Sequence, residues 1–181
     1  GLTTASLNAV AGYAASGSGE ADVYAVGADG TILHKPATTW DIEGVALTSQ
    51  ELTGVAHSGG AAYVVGLGGV VARKVGTSWS PDLPMLGVGM PVTTDLYAVW
   101  TSGQGTSQVT YAVGAGGMIL RRDNTSWTRE ANGLTTESLI AIFGSNDQNL
   151  YAFGSKGTTL KRSSGSWKST SACSRSATSA K

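Results

Sequence analysis

Apolar residues in this sequence come in short runs, broken by glycine and by small polar residues. Thr31-Ile32-Leu33, Val70-Val71-Ala72, Met118-Ile119-Leu120 and Thr158-Thr159-Leu160 are four such runs, each directly after a glycine. Each leads through a polar turn, such as Gly76-Thr77-Ser78 or Asn124-Thr125-Ser126, to a tryptophan that opens another segment. Two further runs lie upstream. One is a tyrosine segment, and the other is Leu7-Asn8-Ala9-Val10, Leu52-Thr53-Gly54-Val55, Leu96-Tyr97-Ala98-Val99 or Leu139-Ile140-Ala141-Ile142. Four short segments bounded by turn residues predict four β-strands per unit and no helix.

The units are copies of one another. Tyr24-Ala25-Val26-Gly27, Tyr63-Val64-Val65-Gly66, Tyr111-Ala112-Val113-Gly114 and Tyr151-Ala152-Phe153-Gly154 repeat one segment. A tryptophan follows each tyrosine at the same distance, at Trp40, Trp79, Trp127 and Trp167. A second glycine follows the first by three, at Gly30, Gly69, Gly117 and Gly157. This spacing predicts three-residue hairpin loops, a type I turn closed by a glycine at positive φ. A phosphate loop would need a following helix, which the pattern does not supply. Gly1-Leu2-Thr3-Thr4-Ala5-Ser6-Leu7 is repeated almost unchanged at Gly133-Leu134-Thr135-Thr136-Glu137-Ser138-Leu139, three units later. The predicted architecture is an all-β propeller of four four-stranded antiparallel blades. Its units are approximately 1–45, 46–88, 89–132 and 133–168, followed by a flexible Ser/Thr-rich tail over 169–181. Whole units favour closure as a four-bladed ring. Part of a larger ring, or pairing with a second copy, are the alternatives.

The string Asp22-Val23-Tyr24-Ala25-Val26-Gly27-Ala28-Asp29-Gly30-Thr31-Ile32-Leu33-His34, closing at Trp40, resembles the repeat of photosystem II assembly-factor propellers and of sialidase-like (BNR) propellers. The resemblance covers nearly the whole chain, as four copies, and implies a β-propeller. The sialidase box Ser-x-Asp-x-Gly-x-x-Trp is not kept: Asp123-Asn124-Thr125-Ser126-Trp127 retains only the tryptophan.

Composition narrows the functional classes. Charged residues are 13% of the chain, against the usual quarter, and net charge is zero. Nucleic acid is therefore not an expected partner. No apolar run approaches the roughly 20 residues of a membrane span. The single cysteine, Cys173, excludes an intrachain disulfide and leaves an exposed thiol or an intermolecular link. Richness in Ser, Thr and Gly suggests an extracellular or cell-envelope location.

No catalytic constellation emerges. His34 and His57 are the only histidines, without Cys or His at metal spacing. The acids are scattered over turns rather than paired as glycosidase chemistry requires, so a glycosidase-type enzyme is the least favoured reading. No cofactor is expected. Basic residues do recur, in the pairs His34-Lys35, Arg73-Lys74, Arg121-Arg122 and Lys161-Arg162. Adjacent strand residues face opposite ways, so each pair gives one side chain to each blade face. Repeated around an axis, His34, Arg73, Arg121 and Lys161 form a basic rim for an anionic partner. Trp100 breaks the repeat beside the polar stretch 101–108, where an aromatic ring stacks on a sugar or fills a core gap. The expectation is a non-catalytic recognition module, a lectin-like binder of glycans. The alternative is a protein-binding or assembly scaffold whose basic rim takes an acidic protein surface.

Overall fold

The computed structural model describes residues 1–14, 21–58, 61–87, 89–123, 125–131 and 133–170. Asn124, Cys173 and most of the predicted tail lie outside these residues. Sixteen strands form four antiparallel sheets in chain order. Blade 1 holds β1 (Leu7–Ala14), β2 (Ala21–Gly27), β3 (Ile32–Lys35) and β4 (Asp41–Glu43). Blade 2 holds β5 (Leu52–Ser58), β6 (Ala61–Gly66), β7 (Val71–Val75) and β8 (Ser78–Pro81). Blade 3 holds β9 (Leu96–Ser102), β10 (Val109–Gly114), β11 (Ile119–Asp123) and β12 (Ser126–Glu130). Blade 4 holds β13 (Leu139–Asn146), β14 (Asn149–Gly154), β15 (Thr159–Ser163) and β16 (Ser166–Ser169). The predicted all-β propeller architecture is therefore present.

The conserved glycine turns differ from the expected three-residue loops. Asp29 and Gly30 both take positive φ, 55° and 66°, and Thr31 N–H closes the turn on Ala28 C=O at 3.0 Å. Two central residues at positive φ make a two-residue type I′ loop, whose twist matches the flanking strands. The first glycine of each pair has a different task. A Cβ on Gly27 would lie 1.9 Å from Ser6 C=O, where the chain enters β1. That close approach lets Ala28 N–H donate to Ser6 C=O at 2.9 Å.

Strand alternation gives each blade two apolar faces. On blade 1, Val10, Ala25, Leu33 and Ile42 are direct cross-strand neighbours and share the front face. Tyr24, Val26 and Ile32 share the back. The front of blade 2, with Val55, Val64 and Ala72, packs on that back face. The same arrangement recurs between blades 2 and 3 and between blades 3 and 4. The innermost strands β1, β5, β9 and β13 contact one another in series. The bulged start of the first two inner strands adds a polar link: Asn8 Nδ2 donates to Leu52 C=O at 2.9 Å and Thr53 Oγ1 to Leu96 C=O at 2.6 Å.

The series does not close on itself, which corrects the expectation of a four-bladed ring. The front of blade 1 and the back of blade 4 face solvent. Val10 is 69% exposed, whereas its equivalents Val55 and Val99 are each 8% exposed. Phe143, on the back of blade 4, is 72% exposed. Burying such a side chain is worth about 1.5–3 kcal/mol, so each open face forgoes several such gains.

The second glycine of each turn reports the same asymmetry. Gly117 and Gly157 have nearly equal φ, 71° and 74°. A Cβ on Gly117 would sit 2.2 Å from Thr135 C=O of the following blade, whereas one on Gly157 meets nothing within 4 Å. Gly157→Ala is expected to cost only the left-handed backbone strain, about 1–2 kcal/mol. Gly117→Ala should cost clearly more, because blade 4 must shift. Thermal denaturation of the two variants measures the difference.

Candidate functional site

A single polar device repeats at each blade junction. Three residues beyond the tryptophans of blades 1 to 3 stand Glu43, Asp82 and Glu130. Each carboxylate receives the indole N–H and the basic side chain of the next blade. Glu43 Oε2 accepts from Lys74 Nζ at 2.6 Å and Trp79 Nε1 at 2.9 Å. Asp82 Oδ2 accepts from Arg122 Nε at 2.6 Å and Trp127 Nε1 at 3.1 Å. Glu130 Oε2 accepts from Arg162 Nε at 3.2 Å and Trp167 Nε1 at 2.9 Å. Lys74, Arg122 and Arg162 are buried, and the carboxylate that meets each one offsets the cost of taking its charge out of water. The partner choice is visible on Glu43: burial opposes its ionisation, but hydrogen bonds from Lys74, Trp79 and His34 outweigh it and hold the carboxyl below its usual range.

Three of the tyrosines lie against a cation of the next blade. Lys74 lies 5.3 Å from the Tyr24 ring centre, Arg122 6.0 Å from Tyr63 and Arg162 5.4 Å from Tyr111. The first members of the basic pairs are the direct cross-strand neighbours of the tyrosines. Burial and nearby carboxylates push the Tyr24 and Tyr111 hydroxyls well above their ordinary range, so both remain neutral donors.

The four predicted rim residues therefore hold one register position, one in each blade, but differ in their partners. His34 is buried and stacked on Tyr24 at 4.1 Å. Its Nε2 lies 2.5 Å from Asp22 and its Nδ1 2.7 Å from Glu43. Arg121 bonds Asp123 at 2.5 Å and lies 3.7 Å from both Glu130 and Asp147. Arg73 and Lys161 have no carboxylate among the described residues within ion-pair distance. They lie over Tyr63 and Tyr151 at 5.7 and 5.3 Å. Arg73 also keeps a buried Nε without a hydrogen-bond partner. Trp100 donates to Gly144 C=O at 3.1 Å and lies 6.2 Å from Tyr111, which makes it junction packing between blades 3 and 4.

Sequence reasoning passed over two groups. His57 is enclosed by Tyr13 and Tyr24 at 5.5 and 5.2 Å and lies 3.8 Å from Asp22. With Asp22, Tyr24 and Lys74 it lines a cavity of about 180 Å³. Burial lowers the His57 pKa, against the pull of Asp22. The second group is the set Glu43, Asp82 and Glu130, whose constant spacing after tryptophan was readable but is masked by the Asp/Glu alternation. No cluster of three or more potential metal ligands occurs among the described residues. Nor is any helix there long and apolar enough to cross a membrane.

Comparison with known proteins adds the fold's context. A solved structure described as YCF48 bound to D1 peptide is similar at 16% identity and TM-score 0.68, over 96% of this chain and 55% of that one. YCF48 from Cyanidioschyzon merolae is similar at 18% identity and TM-score 0.64, over 96% of this chain and 58% of that one. These are propellers of the assembly-factor class that the repeat resembles. At such identities the likeness shows the fold. The chain spans little more than half the length of these structures. No family model and no curated protein matches.

Two pH effects follow at the first junction. The folded pKa of Glu43 is depressed, so its stabilisation is full above about pH 4.3 and is lost as pH falls through the folded value. Glu43→Gln strands the Lys74 charge and is expected to cost about 2 kcal/mol. That is less than for a fully enclosed pair, because Glu43 remains 22% exposed. The variant should also lose this acid dependence. The folded pKa of His57 is likewise depressed, so stability declines as pH drops below about 6.5, and His57→Gln should flatten that decline. Urea denaturation across the acid range checks both.

Proposed function

We propose that this chain is a non-catalytic protein-recognition module that binds an acidic peptide segment across the polar end of its blades. The observation that carries this reading is Arg73. It is a guanidinium held over Tyr63, partly exposed and with no carboxylate among the described residues within ion-pair distance, in a structure whose neighbouring cations are already paired. A guanidinium so placed offers a planar fork of donors to an incoming carboxylate. Lys161 repeats the arrangement two blades away. Support also comes from the fold, since a similar propeller is described with a peptide bound. The protein-binding alternative therefore stands ahead of the glycan-binding reading, for which Trp100 was the principal aromatic candidate.

The residue to change is Arg73 rather than Arg121. Arg121→Glu would set a fourth carboxylate beside Asp123, Glu130 and Asp147 and damage the fold. Arg73→Ala should leave the thermal midpoint within about 2–4 °C and weaken binding of Asp/Glu-rich peptides by tenfold or more, by about 1.4 kcal/mol or above. Fluorescence titration at two salt concentrations, with the same peptides carrying Asn and Gln in place of Asp and Glu as neutral controls, gives the answer. Equal affinity for acidic and neutral peptides would sink this reading. Binding confined to a glycan panel would restore the lectin.

A further inference from the structure

Arg73 and Arg121 occupy one position of the repeat with different surroundings. Each guanidinium is the cross-strand neighbour of its blade's tyrosine, Tyr63 or Tyr111. Arg121 has three carboxylates about it, and each has a counterpart near Arg73. Asp123, two residues further along β11, corresponds to Val75 on β7. Alternate residues of a strand share a face, so position 75 lies on the side of the sheet that carries Arg73. Glu130 corresponds to Asp82, which is one methylene shorter and is taken up by Arg122 and Trp127. Asp147 stands in the inner hairpin of the following blade and accepts from the Tyr111 hydroxyl at 2.6 Å. Its counterpart in the inner hairpin of blade 3 is the buried Gln108, whose Oε1 lies 3.5 Å from the Tyr63 hydroxyl. Gln108 carries no charge, and its Nε2 donates to Ser58 C=O at 3.4 Å.

We infer that Val75 and Gln108 are the specificity-determining positions of the Arg73 site: they leave open a carboxylate seat of the kind that blade 3 fills from within the chain, and a partner's Asp or Glu side chain takes the place that Asp123 holds beside Arg121. This inference rests on the reading of the chain as a binder of acidic peptides, and it fixes where one acidic residue of the peptide is held. A guanidinium already ringed by carboxylates has its donors engaged and repels a further acid. Without them it keeps its planar fork of donors for an incoming group. The seat is open to a partner, since Val75 is 54% exposed. The buried Gln108 closes the inner side without adding a charge that would compete for the guanidinium.

Filling the seat from within tests the inference. Val75→Asp supplies the missing acid at an exposed position. Val75→Asn supplies the same shape and a similarly low strand propensity without the charge. By the same fluorescence titration, the affinity of Val75→Asp for an Asp/Glu-rich peptide is expected to fall about tenfold or more below that of Val75→Asn. The difference should vanish for the neutral control peptide. A second measurement needs no peptide. Val75→Asp should melt at a higher temperature than Val75→Asn, and should lose that advantage when each is combined with Arg73→Ala. The same midpoint difference with and without Arg73→Ala would overturn the inference, because the new acid then does not meet the guanidinium. Equal affinity of Val75→Asp and Val75→Asn for the acidic peptide would overturn it as well. A wild type that does not prefer acidic peptides sinks the recognition reading and the partner's side of this inference with it, and the melting comparison tells that failure apart from the absence of a seat.

Discussion

The arc rests on the carboxylate that each blade extends to the next. Stacked sheets can be joined by apolar packing alone, but apolar faces slide and accept many registers. Glu43, Asp82 and Glu130 fix one register, because each must meet an indole N–H and a cation at once. A shift of one residue would leave a buried ammonium or guanidinium without its counter-charge, which costs several kcal/mol. The tyrosine rings work in the same direction. Their faces take the next blade's cation, and their edges meet its tryptophan at about 6 Å in near-perpendicular contacts.

The blades were legible in the sequence because their cause is local. Strand length, the Gly-x-x-Gly turns and the Tyr-to-Trp spacing all lie within one unit. The finer turn type was missed through the first glycine. It was counted as part of the loop, yet its backbone is extended and its small size serves the incoming strand. The basic pairs were also legible, with alternate members on opposite faces. What the sequence did not convey is which member would be buried. That depends on the acid of the neighbouring blade, some 30 to 40 residues away.

Openness of the arc was illegible for a related reason. Four whole units are compatible with a ring, an arc or a pair, because the repeat encodes how one blade meets the next and not how many meet. Curvature sets that number, and it emerges from the bulk of the residues between blades. At the position of Ala11 and Ala56 the chain places Trp100 and then Phe143. The interior is thus not uniform along the series, and neither is the surface it presents.

Because each blade packs its apolar faces on its neighbours, the structure behaves as a short one-dimensional stack. Blades 2 and 3 are each held on both sides, and blades 1 and 4 on one. Unfolding under native conditions therefore begins as fraying from either end and moves inward, in the manner of a zipper with two pulls. Amide protons of β6 and β10 open last, and those of β2 and β14 exchange with solvent sooner.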